Sequence, residues 1–226
     1  MRGVYAIADV TLCDRLGLEV EAVAAAFAAG GAAAVQLRAK DVDGARFASL
    51  ARAVGSHPLF RAGRVHLFIN DRVDVALVAG APGVHVGQTD LAPDDVKMLA
   101  KRAGTALAVG LSTHDEGELQ RALELDTLDY VAIGPVFGTT SKERPSPTLG
   151  IERARSLAAT ARRARPELPI VAIGGIDEEG ARLLAGSVDA VAVISALVAG
   201  VESQASLEGV IAARIDAIAR ALEVRP

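Results

Sequence analysis

Cysteine and large aromatic residues are scarce in this 226-residue chain, and each shortage excludes a kind of site or core. Cys13 is the only cysteine, so neither an internal disulfide nor an all-cysteine zinc site can form, which agrees with a reducing compartment. Tryptophan is missing and aromatic residues make up 3% of the chain, so the apolar bulk comes from Ala, Val, Leu and Ile. With 51% hydrophobic and 23% charged residues, the composition predicts a folded globular protein and excludes a disordered one.

The chain also lacks long apolar runs and a surplus of positive charge. Its alanine-rich stretch at residues 20–35 is interrupted by Glu21, Gly30 and Gly31, so no segment reaches the roughly 20 apolar residues that span a bilayer. The first residues are too short and too polar a stretch for a signal sequence, which predicts a cytoplasmic protein. A net charge of -4 supplies no general positive field, so nucleic acid and anionic membranes are not expected partners.

Short β-branched segments alternate with longer segments of helical period from one end of the chain to the other. We count eight such pairs, about 28 residues each, which predicts a single α/β domain over residues 1–226 with the architecture of a compact (β/α)₈ (TIM) barrel. A doubly wound sheet is the alternative, but Asp9 to Leu12 stands where such sheets carry a Gly-x-Gly-x-x-Gly turn. The predicted strands are Val4–Ala8, Ala33–Leu37, Val65–Ile69, Gly83–Val86, Ala106–Gly110, Tyr130–Ile133, Ile170–Ile173 and Ala190–Ile194. The predicted helices are Glu19–Ala29, Asp43–Gly55, Arg72–Ala79, Ala92–Ala103, Asp115–Leu125, Ile151–Ala164, Glu178–Ala185 and Leu207–Leu222.

Polar residues follow the predicted strands on the side where a barrel carries its active site. Gln36, Arg38 and Lys40 share one side of the second strand by the period of two and indicate an anion site, whereas a solvated strand end is the alternative. Asp71 and Asp90 follow the third and fourth strands, and two carboxylates completed by a substrate phosphate form a suitable Mg²⁺ site. The alternatives are a helix cap for Asp71 and a turn residue for Asp90.

The later strand ends carry residues suited to binding a phosphate. Residues 138–150 form a loop that we expect to act as a lid, with neutral donors and a cation, although a solvated loop could have the same composition. Glycines after the seventh strand and a hydroxyl after the eighth predict the phosphate cradle of a barrel, with tight turns as the alternative. The loop residues are Thr139, Thr140, Ser141 and Lys142, and the cradle residues are Gly174, Gly175 and Ser195.

The four histidines form no pair with the spacing of zinc ligands, and no covalent nucleophile emerges from the chain. We interpret His57 and His66 as surface and packing residues and Cys13 as an ordinary buried or half-buried thiol. His85 and His114 lie at the mouth of the predicted barrel, where they could orient a substrate.

In their order along the chain, these motifs resemble those of the thiamine-phosphate synthase family over essentially the whole sequence. The resemblance is carried by Tyr5-Ala6-Ile7-Ala8-Asp9, Gln36-Leu37-Arg38-Ala39-Lys40, Ile69-Asn70-Asp71-Arg72, Gly83 to Asp90, Gly110 to His114, Gly134 to Lys142, Ala172 to Ile176, and Ile194-Ser195. Three departures, Ala8, Ala39 and Gly138, bear on loop rigidity and affinity and remove no ligand of the expected site.

The resemblance implies a (β/α)₈ transferase that joins hydroxymethylpyrimidine diphosphate to a thiazole phosphate, carboxylated or not, and releases pyrophosphate. It implies that Mg²⁺ is bound by Asp71 and Asp90, and that Arg38, Lys40, Ser112 and Lys142 are catalytic. The implied ligands of the pyrimidine diphosphate are Gln36, Arg38, Lys40, Asn70, Ser112 and Lys142; those of the thiazole phosphate are Thr139, Thr140, Ser141, Gly175, Ile194 and Ser195, with Gly174 as a neighbouring candidate.

Two other functions are considered. A related thiazole tautomerase would isomerise a thiazole phosphate, but it has no evident use for Asp71, Asp90 and the basic residues. A noncatalytic sensor of thiazole phosphate or thiamine phosphate would need only the seventh and eighth loops, and no appended effector domain supports it. Small-molecule substrates are the expected partners, and the formation of homo-oligomers is left open.

Overall fold

A computed structural model describes residues 1–138, 147–201 and 204–223 of the chain. Eight parallel strands close into a barrel in chain order, with β8 pairing back onto β1. The (β/α)₈ prediction is confirmed and the doubly wound alternative is wrong. The strands are β1 (Gly3–Asp9), β2 (Ala34–Arg38), β3 (His66–Asn70), β4 (Gly83–Val86), β5 (Ala108–Thr113), β6 (Tyr130–Ile133), β7 (Ile170–Ile173) and β8 (Ala190–Val193).

All eight predicted helices are present, and each begins and ends within two residues of its prediction. Three short helices and a 3₁₀ turn at Gln204–Ser206 were not predicted. Several helices begin at an aspartate whose carboxylate accepts a backbone N–H, as Asp43, Asp115 and Asp177 do. The helices are α1 (Val10–Leu16), α2 (Val20–Ala29), α3 (Gly44–Gly55), α4 (Pro58–Arg61), α5 (Val73–Ala79), α6 (Pro93–Arg102), α7 (Glu116–Leu123), α8 (Ile151–Ala164), α9 (Glu178–Leu184), α10 (Ser195–Val198) and α11 (Leu207–Glu223).

The fifth strand departs furthest from its prediction. It begins at Ala108 rather than Ala106 and continues past Gly110 to Thr113. Ser112 and Thr113 are polar yet buried, because the barrel supplies their partners: the Thr113 hydroxyl donates to the Ala132 carbonyl, 3.0 Å away on β6.

The apolar core has two parts. One lies between the strands and the surrounding helices, and the other fills the barrel's interior with Tyr5, Phe68, Tyr130 and smaller residues. Room for the large rings comes from two glycines on neighbouring strands, because a Cβ at Gly83 would overlap Phe68 and a Cβ at Gly110 would overlap Tyr130. None of the helices within the described residues is long and apolar enough to cross a membrane.

Candidate active site

A cavity of about 900 Å³ opens at the carboxyl ends of the strands. The predicted site residues that the structure describes all line it, although they come from six different strand ends. The predicted residues Thr139, Thr140, Ser141 and Lys142, and most of the predicted lid, lie outside the described residues. The lining residues predicted from sequence are Gln36, Arg38, Lys40, Asn70, Asp71, Asp90, Ser112, Gly174, Gly175, Ile194 and Ser195.

Arg38 is held at the end of β2 by an ion pair with Asp9 at the end of β1. The two side chains are only 12% and 6% exposed, so solvent screens this pair little. Asp9 also accepts the Leu12 N–H at 2.9 Å, which begins helix α1. One carboxylate therefore both starts a helix beside the cavity and orients a cation within it. Asp9 belonged to a recognised motif, but it was assigned no role from sequence.

Asp71 and Asp90 come together on the rim, beside Lys40. The Lys40 ammonium donates to the Asp71 carboxylate, and the Asp90 carboxylate accepts the Gly87 N–H at 2.7 Å. Burial raises the pKa of Asp90 above its usual range, and the negative charge of Asp71 raises it further, against the opposing effects of the Gly87 N–H and Lys40. The pair thus concentrates like charge that Lys40 only partly offsets.

The alternative interpretations of these aspartates have different outcomes. The N-cap residue of helix α5 is Arg72, with no side-chain capping bond, so the interpretation of Asp71 as a helix cap is wrong. Asp90 does close a turn through Gly87, and it also faces the cavity.

The donor set of the rim suits Mg²⁺ better than a transition metal. Among the described residues no group of three or more His, Cys, Asp and Glu side chains could hold a metal ion. Mg²⁺ is commonly bound by one or two carboxylates, with substrate phosphate and water completing its shell. The two adjacent carboxylates of Asp71 and Asp90 meet that requirement. Burial, and then the charge of Asp71, raise the pKa of Asp90, and a bound cation would oppose both effects.

The Asp71 backbone is unusual because its φ of 60° is positive, which is uncommon for a residue with a side chain. Its N–H donates to the His85 carbonyl at 2.8 Å, extending the contact between β3 and β4 beyond the strand end. Aspartate tolerates this left-handed conformation better than most residues. The turn thereby places a carboxylate directly above the strand end.

On the opposite side of the cavity, the backbone of the segment after β6 packs closely against the backbone at the end of β7. The segment after β6 runs along the end of β7, where Val136 N–H donates to the Ile173 carbonyl at 2.9 Å and Phe137 N–H to Gly174 at 3.0 Å. Gly174 and Gly175 have φ of 103° and 62°, and a Cβ at Gly175 would overlap the Gly138 carbonyl oxygen. These glycines therefore permit both the turn and the packing of the segment that leads into the loop at 138–150.

Below the cavity, polar side chains make a continuous chain of hydrogen bonds across the barrel's interior. Gln36 Nε2 donates to the Tyr5 hydroxyl at 2.9 Å, and the Tyr5 and Tyr130 hydroxyls lie 2.9 Å apart. The Tyr130 hydroxyl lies 2.7 Å from His85 Nδ1, and His85 Nε2 lies 2.8 Å from the Ser112 Oγ. Sequence reasoning assigned no role to Tyr5 or Tyr130, because their position in strands indicates burial and not which polar partner each will meet.

The histidines occupy distinct environments. His85 and His114 line the cavity, and the ring and backbone N–H of His114 both contact the Glu118 carboxylate, at 2.8 and 2.7 Å. His57 caps the short helix α4, while His66 is exposed at the start of β3. Cys13 is buried, as predicted, and burial raises the pKa of its thiol to about 12.

Comparison with known proteins shows similarity along most of the chain. The model of the thiamine monophosphate synthase family matches residues 4–197, a range that includes every residue lining the cavity. A thiamine-phosphate synthase of Laribacter hongkongensis is 40% identical over 195 residues, covering 86% of each chain. Another, of Roseiflexus sp., is 38% identical over 223 residues, covering 96% of this chain and 89% of the relative. The solved structure of a thiamine phosphate pyrophosphorylase from Pyrococcus furiosus has a TM-score of 0.73 at 29% identity and covers 96% of each chain.

Proposed function

Since the chain belongs to the thiamine monophosphate synthase family, we propose that its cavity joins hydroxymethylpyrimidine diphosphate to a thiazole phosphate. The chain is a transferase that forms thiamine phosphate from small-molecule substrates. One observation carries the assignment of the diphosphate site: Lys40, Asp71 and Asp90 meet on the rim of a cavity that Arg38 also lines. Cations beside paired carboxylates suit a diphosphate that arrives with a divalent metal ion.

In this proposal the bond between the methylene carbon and the diphosphate oxygen breaks first, and its electron pair leaves with the diphosphate. Arg38, Lys40 and Lys142 stabilise the negative charge that develops on the leaving group, while Gln36, Asn70 and Ser112 hold the pyrimidine diphosphate in place. The pairing of Arg38 with Asp9 fixes the guanidinium before substrate binds, so little reorganisation is needed during the reaction.

Asp71 and Asp90 would hold Mg²⁺, which supplies Lewis-acid stabilisation of the departing diphosphate. Lys40 contacts Asp71 directly, so the same cation can neutralise the carboxylates or bind a diphosphate oxygen. A pair of carboxylates has no comparable use in a thiazole tautomerase or in a sensor that reads only the phosphate.

The thiazole phosphate is assigned to the opposite side of the cavity. Its phosphate is held by Thr139, Thr140, Ser141, Gly175, Ile194 and Ser195, with Gly174 beside them. The thiazole nitrogen donates its lone pair to the methylene carbon and forms the new C–N bond. Side chains of this site need only position the nitrogen and exclude water, and closure of the loop at 138–150 is assigned to that step.

The test is a turnover assay with purified enzyme, both substrates and Mg²⁺, in which released pyrophosphate and thiamine phosphate are both measured. We expect the two products in equal amounts, with release lost on chelation and restored by added Mg²⁺. Either substrate alone is the control. Isomerisation of the thiazole without pyrophosphate would identify a tautomerase, and tight binding of thiazole phosphate without any reaction would identify a sensor.

The metal assignment has a readout that does not depend on turnover. A ligand that binds only the folded protein raises its stability by mass action. Mg²⁺ with inorganic pyrophosphate should therefore raise the melting temperature of the wild-type chain and raise that of Asp90→Asn much less. Equal shifts in the two proteins would overturn the assignment of Asp90.

A further inference from the structure

We propose that the chain of hydrogen bonds below the cavity has a fixed direction, from Gln36 through Tyr5, Tyr130 and His85 to Ser112. This direction makes Ser112 a hydrogen-bond donor toward the cavity, with Tyr130 and His85 as positioning residues that act through it. The inference deepens the proposed function and rests on it only where Ser112 meets the diphosphate. The five side chains come from five strands, β1, β2, β4, β5 and β6, so the barrel itself sets their spacing.

The direction follows from counting donors and acceptors along the chain. An amide nitrogen can only donate, so Gln36 Nε2 gives its proton to the Tyr5 oxygen. The Tyr5 hydroxyl proton is buried and needs an acceptor, and we assign that acceptor to the Tyr130 oxygen, 2.9 Å away. The Tyr130 proton is directed in turn at His85 Nδ1, 2.7 Å away. A neutral imidazole that accepts at Nδ1 carries its proton on Nε2, and that proton is donated to Ser112 Oγ at 2.8 Å.

The direction of these hydrogen bonds determines where the Ser112 hydroxyl proton points. Because its oxygen accepts from His85, its own proton is left to be donated into the cavity that it lines. A diphosphate oxygen is a strong acceptor for such a proton, and the bond strengthens as negative charge develops on the leaving group. With the opposite direction, Ser112 would donate to His85 and present only lone pairs to an anion.

The surroundings keep each hydroxyl of the chain protonated and fixed in position. Burial raises the pKa of both Tyr5 and Tyr130, so each phenol retains the proton it has to donate. Phe68 packs against both rings, with centroids 5.6 Å from Tyr5 and 5.4 Å from Tyr130. No buried side-chain nitrogen or oxygen among the described residues lacks a hydrogen-bond partner, and this includes every buried polar atom of the hydrogen-bonded series from Gln36 to Ser112.

The direct test is the tautomer of His85, measured by long-range ¹H–¹⁵N correlation spectra of the ¹⁵N-labelled, ligand-free full chain at neutral pH. With four histidines in the sequence, the His85 signals are identified as those missing from His85→Asn. We expect a protonated Nε2 and an unprotonated Nδ1. Protonation at Nδ1, or at both nitrogens, would overturn the proposed direction. In Tyr130→Phe the donor to Nδ1 is gone, so the fixed preference should be lost.

A double-mutant cycle tests the positioning role in catalysis. We expect Ser112→Ala to slow pyrophosphate release roughly 100-fold and Tyr130→Phe to slow it roughly tenfold in kcat. If Tyr130 acts through Ser112, adding Tyr130→Phe to Ser112→Ala should change kcat by less than about twofold. A general loss of packing would instead lower the rate by the same factor in both backgrounds, and that result would contradict the positioning role.

The two measurements separate this inference from the proposed function. An enzyme that releases no pyrophosphate would refute the proposed function, and the tautomer of His85 would still decide the direction of the chain. Conversely, an active enzyme whose His85 carries its proton on Nδ1 would refute the direction alone.

Discussion

At position 71, backbone conformation and side-chain chemistry make opposing demands. A φ of 60° favours glycine, whereas the rim needs an oxygen ligand next to Asp90. Aspartate and asparagine are the residues with side chains that best tolerate this region. The strain at Asp71 is thus a cost that the protein accepts in order to place a carboxylate there.

This conflict predicts that two substitutions of Asp71 will separate stability from activity. Asp71→Asn keeps a residue that tolerates positive φ, so the free energy of unfolding should change little, while turnover at limiting Mg²⁺ falls at least roughly tenfold. Asp71→Ala should lose the same activity and be about 1 kcal/mol less stable than Asp71→Asn. Urea unfolding and the pyrophosphate assay measure the two effects. Equal stability of the two variants would show that the positive φ imposes no cost.

Gly110 tests the packing of the barrel's interior. A Cβ there would overlap the ring of Tyr130, which is fully buried and has little room to move. Gly110→Ala should therefore lower the free energy of unfolding by roughly 1–3 kcal/mol, the usual range for overpacking a core. Gly209→Ala is the control, because a Cβ at this helical position on α11 meets nothing within 4 Å. Urea unfolding of both variants decides the question, and a Gly110→Ala protein as stable as the control would contradict the packing argument.

Individual residues show where sequence reasoning succeeds. Alternation along β2 predicts that Gln36 and Arg38 face the same way, and both line the cavity. The contact of Tyr5 with Tyr130 joins residues 125 positions apart. A period of two tells which face of a strand a residue occupies, but its partner inside a closed barrel depends on strand tilt and register, which no local pattern records.

Among the elements, the segment after β6 and the turn after β7 act as one unit. Backbone hydrogen bonds join Val136 to Ile173 and Phe137 to Gly174, and the chain returns through Leu149, whose N–H donates to the Pro135 carbonyl at 2.8 Å. The segment that enters the loop at 138–150 is thus bonded to the end of β7 and its turn, and the returning end is bonded to that segment. A change in the turn after β7 should therefore weaken any substrate binding to which the loop contributes.

Gly175 gives a matched test of this coupling. Gly175→Ala imposes a side chain at a φ of 62° and forces the Gly138 carbonyl to move, whereas Gly80→Ala imposes one at 66° with nothing within 4 Å. Both variants should lose a similar stability of about 1 kcal/mol from the backbone alone. Only Gly175→Ala should raise KM for the thiazole phosphate, by roughly tenfold or more. An unchanged KM in Gly175→Ala would separate the β7 turn from substrate binding.

The order of the main elements can be predicted from sequence because the apolar residues of each strand and helix follow a recognisable local pattern. The errors lie where tertiary contacts override local signals. Helix α1 follows β1 without a connecting loop, and its start depends on Asp9, which also pairs with Arg38 of the next strand. Polar residues at the end of β5 suggested a loop, yet Ser112 and Thr113 find partners in the neighbouring strands.

For the molecule as a whole, α11 covers the region where the barrel closes between β8 and β1. It packs against α2, α9 and α10, and its buried face is Leu207, Ile211, Ile215 and Ile218. Gly30 at the end of α2 lets it approach closely, since a Cβ there would lie 3.1 Å from the Ala212 Cα. The matched family region ends at residue 197, so the helix that covers the closure lies beyond it.

Stability and activity should therefore respond differently to a change in α11. Ile215 is 2% exposed and does not line the cavity. Ile215→Ala should lower the free energy of unfolding by about 2–5 kcal/mol, a large share of the roughly 5–15 kcal/mol of a typical domain. Turnover by the folded fraction at 25 °C should stay within about twofold of wild type, because no residue that lines the cavity is changed. Arg220→Ala on the same helix removes only an exposed ion pair with Asp216, worth up to about 1 kcal/mol. Urea unfolding and the pyrophosphate assay on both variants test this separation, which fails if Ile215→Ala leaves stability unchanged or if the folded protein loses its turnover.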